Sequence, residues 1–198
     1  MLKKILISCV SIALIPFCAF AISYSDIQNN PSKYVIVHNA PTMAGYVNVE
    51  SINILRSSMP YVTVEAEYYT VMFNPKLIIQ DTRSFTFDAN HGIFPRTMKI
   101  LEKYPNCSEE ELLKMLVAAQ VQNSGVMLNS PHFKVFTFAG ALNSEASEGF
   151  TSILDTPEKK KVGYGKIPWD VANFIFAWCS KAPGNYFGLP GPYSTYSL

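Results

Sequence analysis

The sequence has 198 residues, 16 basic and 15 acidic, for a formal charge of +1. This balance argues against nucleic acid or an anionic membrane as the main partner, since both demand concentrated positive charge. The length suits one domain large enough to bury a core.

At the amino terminus Lys3 and Lys4 precede the apolar run Ile5–Ile15, then Pro16 and the small-residue pattern Ala19-Phe20-Ala21. This reads as a cleavable secretory signal peptide over residues 1–21. The apolar run is too short to span about 30 Å of hydrocarbon as an anchor, and bulky Phe17 before Cys18 argues against lipidation. Cleavage would leave 14 basic against 15 acidic residues, with no later membrane span. Residues 22–184 then form a single α+β domain, followed by a Gly/Pro/Tyr-rich tail over 185–198.

Cys9 and Cys18 leave with the leader, so Cys107 and Cys179 remain in an oxidising compartment. A Cys107–Cys179 disulfide is the default outcome there. Two free buried thiols, or a catalytic cysteine, are the alternatives.

Ile22–Pro41 reads as a polar lead-in with one strand or helical turn around Tyr34–Val37. Gly45–Leu55 alternates as a strand, with a phase slip at Ser51 that implies a bend. Tyr61–Phe73 is the strongest strand pattern. Val62, Val64, Ala66, Tyr68, Thr70 and Met72 line one face, and Thr63, Glu65, Glu67 and Tyr69 the other. Asn74-Pro75-Lys76 turns the chain into a second long strand, Leu77–Asp88, giving an antiparallel hairpin. Asp81 and Arg83 fall in phase with Leu77, Ile79, Phe85 and Phe87, which predicts a mid-strand bulge or an overhang beyond the core.

Asn90-His91-Gly92 is read as a turn and Ile93–Leu101 as a further strand. Ser108 followed by Glu111 is a capping box opening a helix that stops near Asn123-Ser124-Gly125. Val126–Leu128 and Phe133–Phe138 are two more strands. Asn143–Gly165 reads as loop, with Lys159-Lys160-Lys161 a solvated run. Pro168–Lys181 is the last helix, carrying Ala172, Ile175, Phe176 and Cys179 on one side. The expected architecture is an antiparallel meander of about five to six strands, with the C-terminal helix packed on one face and another helix between strands.

Chemical candidates are sparse. Glu65 and Glu67 share a strand face, as paired carboxylates for glycoside hydrolysis require, but an alternating solvated face explains them better. Asp88 and His91 could orient each other, but Asp88-Ala89-Asn90-His91-Gly92 is a turn composition and a turn explains them better; His132 follows Pro131 in another turn. No zinc-type spacing, phosphate-binding glycine loop or nucleophile elbow occurs. The reading is therefore of no catalytic residue, cofactor or metal.

Gly45–Ile52 followed by the strand Tyr61–Tyr69 resembles the opening of surface-adhesin protein E-like domains. Ile167-Pro168 leading into Val171–Phe176 and Cys179 is similar to that family's terminal helix with its cysteine. The resemblance implies a helix laid on an antiparallel sheet and tied there by a disulfide. It also implies a secreted or surface location and attachment to host extracellular proteins. In the family the partner cysteine stands near Asp88-Ala89-Asn90; here position 89 is alanine, and Cys107 lies downstream. The functional expectation is an exported, non-enzymatic binding protein with a protein partner. A periplasmic envelope assembly factor is the alternative, a secreted hydrolase the third reading, and a homodimer stays open. Amino-terminal sequencing of the exported protein is expected to begin at Ile22; Met1 on the exported form would contradict export by cleavage.

Overall fold

The computed structural model describes residues 22–130, 133–144, 147, 160–180, 187–189, 191 and 195. The leader, His132 and Lys159 lie outside them. The chain order is α1 (Tyr24–Asn29), β1 (Tyr34–Ala40), β2 (Met43–Asn48), β3 (Asn53–Ser58), β4 (Tyr61–Met72) and β5 (Leu77–Asp88). There follow α2 (Ile93–Lys103), α3 (Glu109–Gln122), β6 (Val126–Asn129), β7 (Phe133–Thr137), β8 (Lys160–Lys161) and α4 (Ile167–Ser180). The expected α+β class and antiparallel sheet are present, but among the described residues the sheet has eight strands rather than five or six. The phase slip at Ser51 is a 3-10 turn, Val49–Ser51, that separates β2 from β3.

β4 and β5 pair over twelve consecutive residues, Tyr61↔Asp88 to Met72↔Leu77. β3 and β2 lie end to end along the outer edge of β4, and β6 and β7 do the same along β5. The expected bulge at Asp81 and Arg83 is absent: the register runs straight through them. Where β2 hands over to β3, the Ser51 hydroxyl accepts a hydrogen bond from the Glu67 N–H (2.8 Å). A backbone donor is thereby satisfied where strand pairing stops.

Both sheet faces are covered. Val64, Ala66, Tyr68, Phe85 and Phe87 meet Trp169, Val171, Ala172 and Ile175 of α4. On the opposite face Tyr69, Val71, Ile78 and Phe136 pack against Ile27 of α1. The second core was not expected, because Glu65 and Glu67 give the odd-numbered face of β4 a polar start. Ser23 and Asp26 form a capping box that holds α1 in place.

Ile93–Lys103 is a helix, not a strand. Pro95 falls in its first turn, where no helical hydrogen bond is lost. The Ile93 N–H donates to Phe187 O (2.9 Å), a partner far away in sequence. The capping box of α3 forms as expected: Ser108 Oγ accepts from the Glu111 N–H, and Glu111 accepts from the Ser108 N–H. Lys160 and Lys161 are an exposed edge strand on β6 rather than loop.

Phe187 is the main departure from a domain ending at residue 184. It lies 5.2 Å from Phe87 and 5.4 Å from Phe176, ring centre to ring centre, inside the α4 core. Phe187→Ala is therefore expected to destabilise the fold by about 3–5 kcal/mol, the range for truncating a buried aromatic ring. Urea denaturation measures it; a loss under about 0.5 kcal/mol would make the segment an appendage.

Candidate functional site

Glu67 is bound rather than solvated. Asn48 Nδ2 and Tyr69 Oη donate to its Oε2 (2.9 and 2.8 Å), and Gln80 Nε2 to its Oε1 (3.4 Å). Burial, and then the Glu67 carboxylate, push the Tyr69 hydroxyl well above its ordinary range. A carboxylate engaged on both oxygens is tied into the fold.

On the other face Asp81 and Arg83 form a buried pair. Arg83 Nε donates to both Asp81 oxygens (3.0 and 2.9 Å), and Ser130 Oγ donates to Oδ2 (3.3 Å). The guanidinium lies 3.7 Å above the centre of the Tyr68 ring, a cation–π contact strengthened by exclusion of water. Gly45 makes room for that ring: a Cβ there would come within 1.9 Å of Tyr68 Oη. Burial raises the Asp81 carboxyl, Arg83 and Ser130 opposing it. Arg83 and Ser130 satisfy the Asp81 carboxylate, although Arg83 Nη1 stays buried without a hydrogen-bond partner, and this pairing lets the core phase of β5 carry both charges without a bulge.

Asp88 and His91 do orient each other, His91 Nδ1 lying 2.9 Å from Asp88 Oδ2. Asn123 Oδ1 accepts from the Gly125 N–H (3.1 Å), which leaves its Nδ2 to donate to His91 Nε2 (3.0 Å). This assignment puts the proton on Nδ1. Both ring nitrogens are engaged, and the unit joins the end of β5 to the end of α3. Arg96, largely buried on α2, donates through Nη2 to the carbonyl of the same Asn123.

The expected Cys107–Cys179 disulfide is not formed; both cysteines are free thiols. Cys107 is fixed in the α2–α3 turn by its N–H to Tyr104 O (3.2 Å). It lines an open groove of about 580 Å³ with Lys103, Tyr104, Asn106 and Met115. Cys179 packs instead against the α4 core, where burial raises its thiol pKa. The two therefore belong to different packing environments, and Cys179 is shifted away from the reactive thiolate. Among the described residues no group of three His, Cys, Asp or Glu is placed to hold a metal ion.

The surface feature left over is the β3 edge. The other edge strands expose less apolar surface, although β1 too has no strand on its outer side among the described residues. Thr195 Oγ1 donates to Ile36 O on β1, the chain folds back on β7 through Asn143 N–H to Val135 O, and β8 consists of two lysines. Every residue of β3 is exposed, and among the described residues nothing pairs with its outer side. Ile54 and Leu55 are 50% and 51% exposed, and Met59, in the turn to β4, 77%. The register shift between Ile54 and Arg56 places Leu55 at a bulge. Ile52 packs inward, whereas Ile54, two residues on, is exposed.

Comparison with protein-family models, curated proteins and solved structures finds no match to this chain. No helix among the described residues is long and apolar enough to cross a membrane.

Arg83→Leu is expected to destabilise the protein by about 3–5 kcal/mol at neutral pH, because it strands a buried carboxylate. The carboxyl of Asp81 titrates higher in the fold than in the unfolded chain, so stability falls as pH rises through the interval between the two values. Loss of Arg83 widens that interval upward. The variant's deficit should accordingly shrink on acidification, and denaturation at two pH values tests this; an unchanged deficit would contradict it.

Proposed function

We propose that the mature protein acts outside the cytoplasm as a non-enzymatic binding protein that recognises another protein, in the manner of a surface adhesin. The observation that carries this reading is the β3 edge, a fully exposed strand that presents Ile54 and Leu55 and whose outer backbone side is unpaired among the described residues. Natural proteins blunt free edges, because an open edge is a template for another strand. Partner recognition by strand addition uses main-chain hydrogen bonds for affinity and side-chain contacts for selectivity. Ile54, Leu55, Met59 and Tyr61 supply such contacts. The self-contained polar clusters of Glu67, Asp81 and His91 support binding over catalysis, since each engages its own neighbours. Export rests on the leader sequence, and the adhesin role on the resemblance in Gly45–Ile52 and the terminal helix.

Immobilised mature protein offered host extracellular-matrix proteins and bacterial envelope proteins in parallel tests the reading. Matrix proteins among the captures favour adhesion; envelope proteins alone favour the assembly-factor reading. The double variant Ile54→Lys, Leu55→Lys should lose at least about tenfold in capture, equivalent to 1.4 kcal/mol, while its stability stays within about 0.5 kcal/mol per site. Undiminished capture would remove β3 as the surface.

A further inference from the structure

The buried face of α4 carries three polar side chains among its apolar ones, Trp169, Asp170 and Asn173, all fully buried. Each is directed at the backbone of the tail. Trp169 Nε1 and Asn173 Nδ2 donate to Leu189 O (3.0 and 3.3 Å). Asn173 Oδ1 accepts from the Gly188 N–H (3.1 Å), and Asp170 Oδ1 from the Gly191 N–H (2.7 Å). From α2, the Ile93 N–H donates to Phe187 O. All five bonds engage main-chain atoms of Phe187–Gly191, which runs back toward the start of α4.

The remaining selectivity is steric. Phe187 fills an aromatic slot between Phe87, Phe176 and Trp169. A Cβ on Gly188 would come within 2.2 Å of Gln120 Nε2 and 2.5 Å of the Trp169 ring. One on Gly191 would come within 2.6 Å of the Asp170 carboxylate. The cradle thus selects an aromatic residue, then glycines one and four positions later, in a segment of sequence Phe-Gly-Leu-Pro-Gly. Gln120, 1% exposed, faces the segment with neither amide atom hydrogen-bonded. The chain's own segment therefore leaves one buried polar group of the cradle unsatisfied, an unfavourable arrangement for a permanently closed core.

We propose that this cradle is a peptide-recognition site for Phe-Gly-X-X-Gly segments, and that a second copy of the chain can supply the segment in place of the chain's own. Recognition through main-chain atoms makes the two sources equivalent, the condition under which identical elements exchange between protomers. The proposal is independent of the β3 surface.

Complementation between two full mature chains tests it. Gly191→Ala impairs the segment and leaves the cradle intact; Asn173→Ala impairs the cradle and leaves the segment intact. Mixed after joint unfolding and refolding, the two should form a one-to-one dimer by sedimentation, joining the intact segment to the intact cradle. A mixture that merely superimposes the separate profiles overturns exchange. In parallel, a fluorescein-labelled peptide of residues 185–198 is added to the wild-type chain and to Gly191→Ala. Saturable binding, at least tenfold tighter to Gly191→Ala because its own segment competes less, supports the cradle. The peptide bearing Gly191→Ala should bind neither. If Gly191→Ala does not fold, the wild-type chain is unfolded and refolded with peptide above about 1 mM, the effective concentration of a tethered segment: peptide retention that depends on Gly191 supports the cradle, and no retention overturns it.

Discussion

Twelve unbroken residue pairs between β4 and β5 set the parity of the whole sheet. Side chains alternate along a strand, so a one-residue slip would send every residue to the wrong face. With the observed register, Val64, Ala66, Tyr68, Phe85 and Phe87 reach α4, while Tyr69, Val71 and Ile78 reach α1. Each neighbouring strand inherits its facing from this hairpin. Val47, opposite Tyr68, turns toward α4, and Tyr46, opposite Tyr69, toward α1.

The hairpin is longer than any strand beside it, so the flanking strands must change over midway along both edges. Polar residues gather at those changeovers. Ser51, Asn48 and Glu67 occupy one, and Asp81, Arg83 and Ser130 the other. The buried charges and hydrogen-bonded carboxylates that look chemical in the sequence are thereby tied to strand endings. Buried polar groups of this kind are tolerated when their partners satisfy them, and they hold one register against alternatives.

The two proposed binding surfaces lie where the hairpin does not complete the sheet. β3 extends past β2 with its outer side open, and α4 carries buried polar groups whose partners come from the tail rather than the sheet. A strand edge and a main-chain cradle both offer hydrogen bonds to a peptide backbone. They differ in selectivity: the edge sets few side-chain demands, whereas the cradle fixes one aromatic residue and two glycines.

Local pattern was enough to define the elements whose neighbours are close in sequence. The Tyr61–Asp88 hairpin, the Ser108–Glu111 capping box, the break at Ser51 and the apolar side of the last helix all follow from periodicity and capping, which depend on residues a few positions apart. At Asp88–His91 the local composition pointed to a turn, and the hydrogen bond between the two side chains came from the structure. Long-range packing decided the rest. Ile93–Lys103 has a strand-like composition but is a helix packed beside α3, its first N–H capped by Phe187 O. The second core arises because α1 covers Tyr69 and Val71. Cys107 and Cys179, matched by count, are held in separate environments as free thiols. Phe187–Gly191 has no periodicity to reveal it, because its order comes from Trp169, Asp170 and Asn173, side chains on another element that bind its backbone. A main-chain ligand leaves little trace in its own sequence beyond the glycines that let it approach.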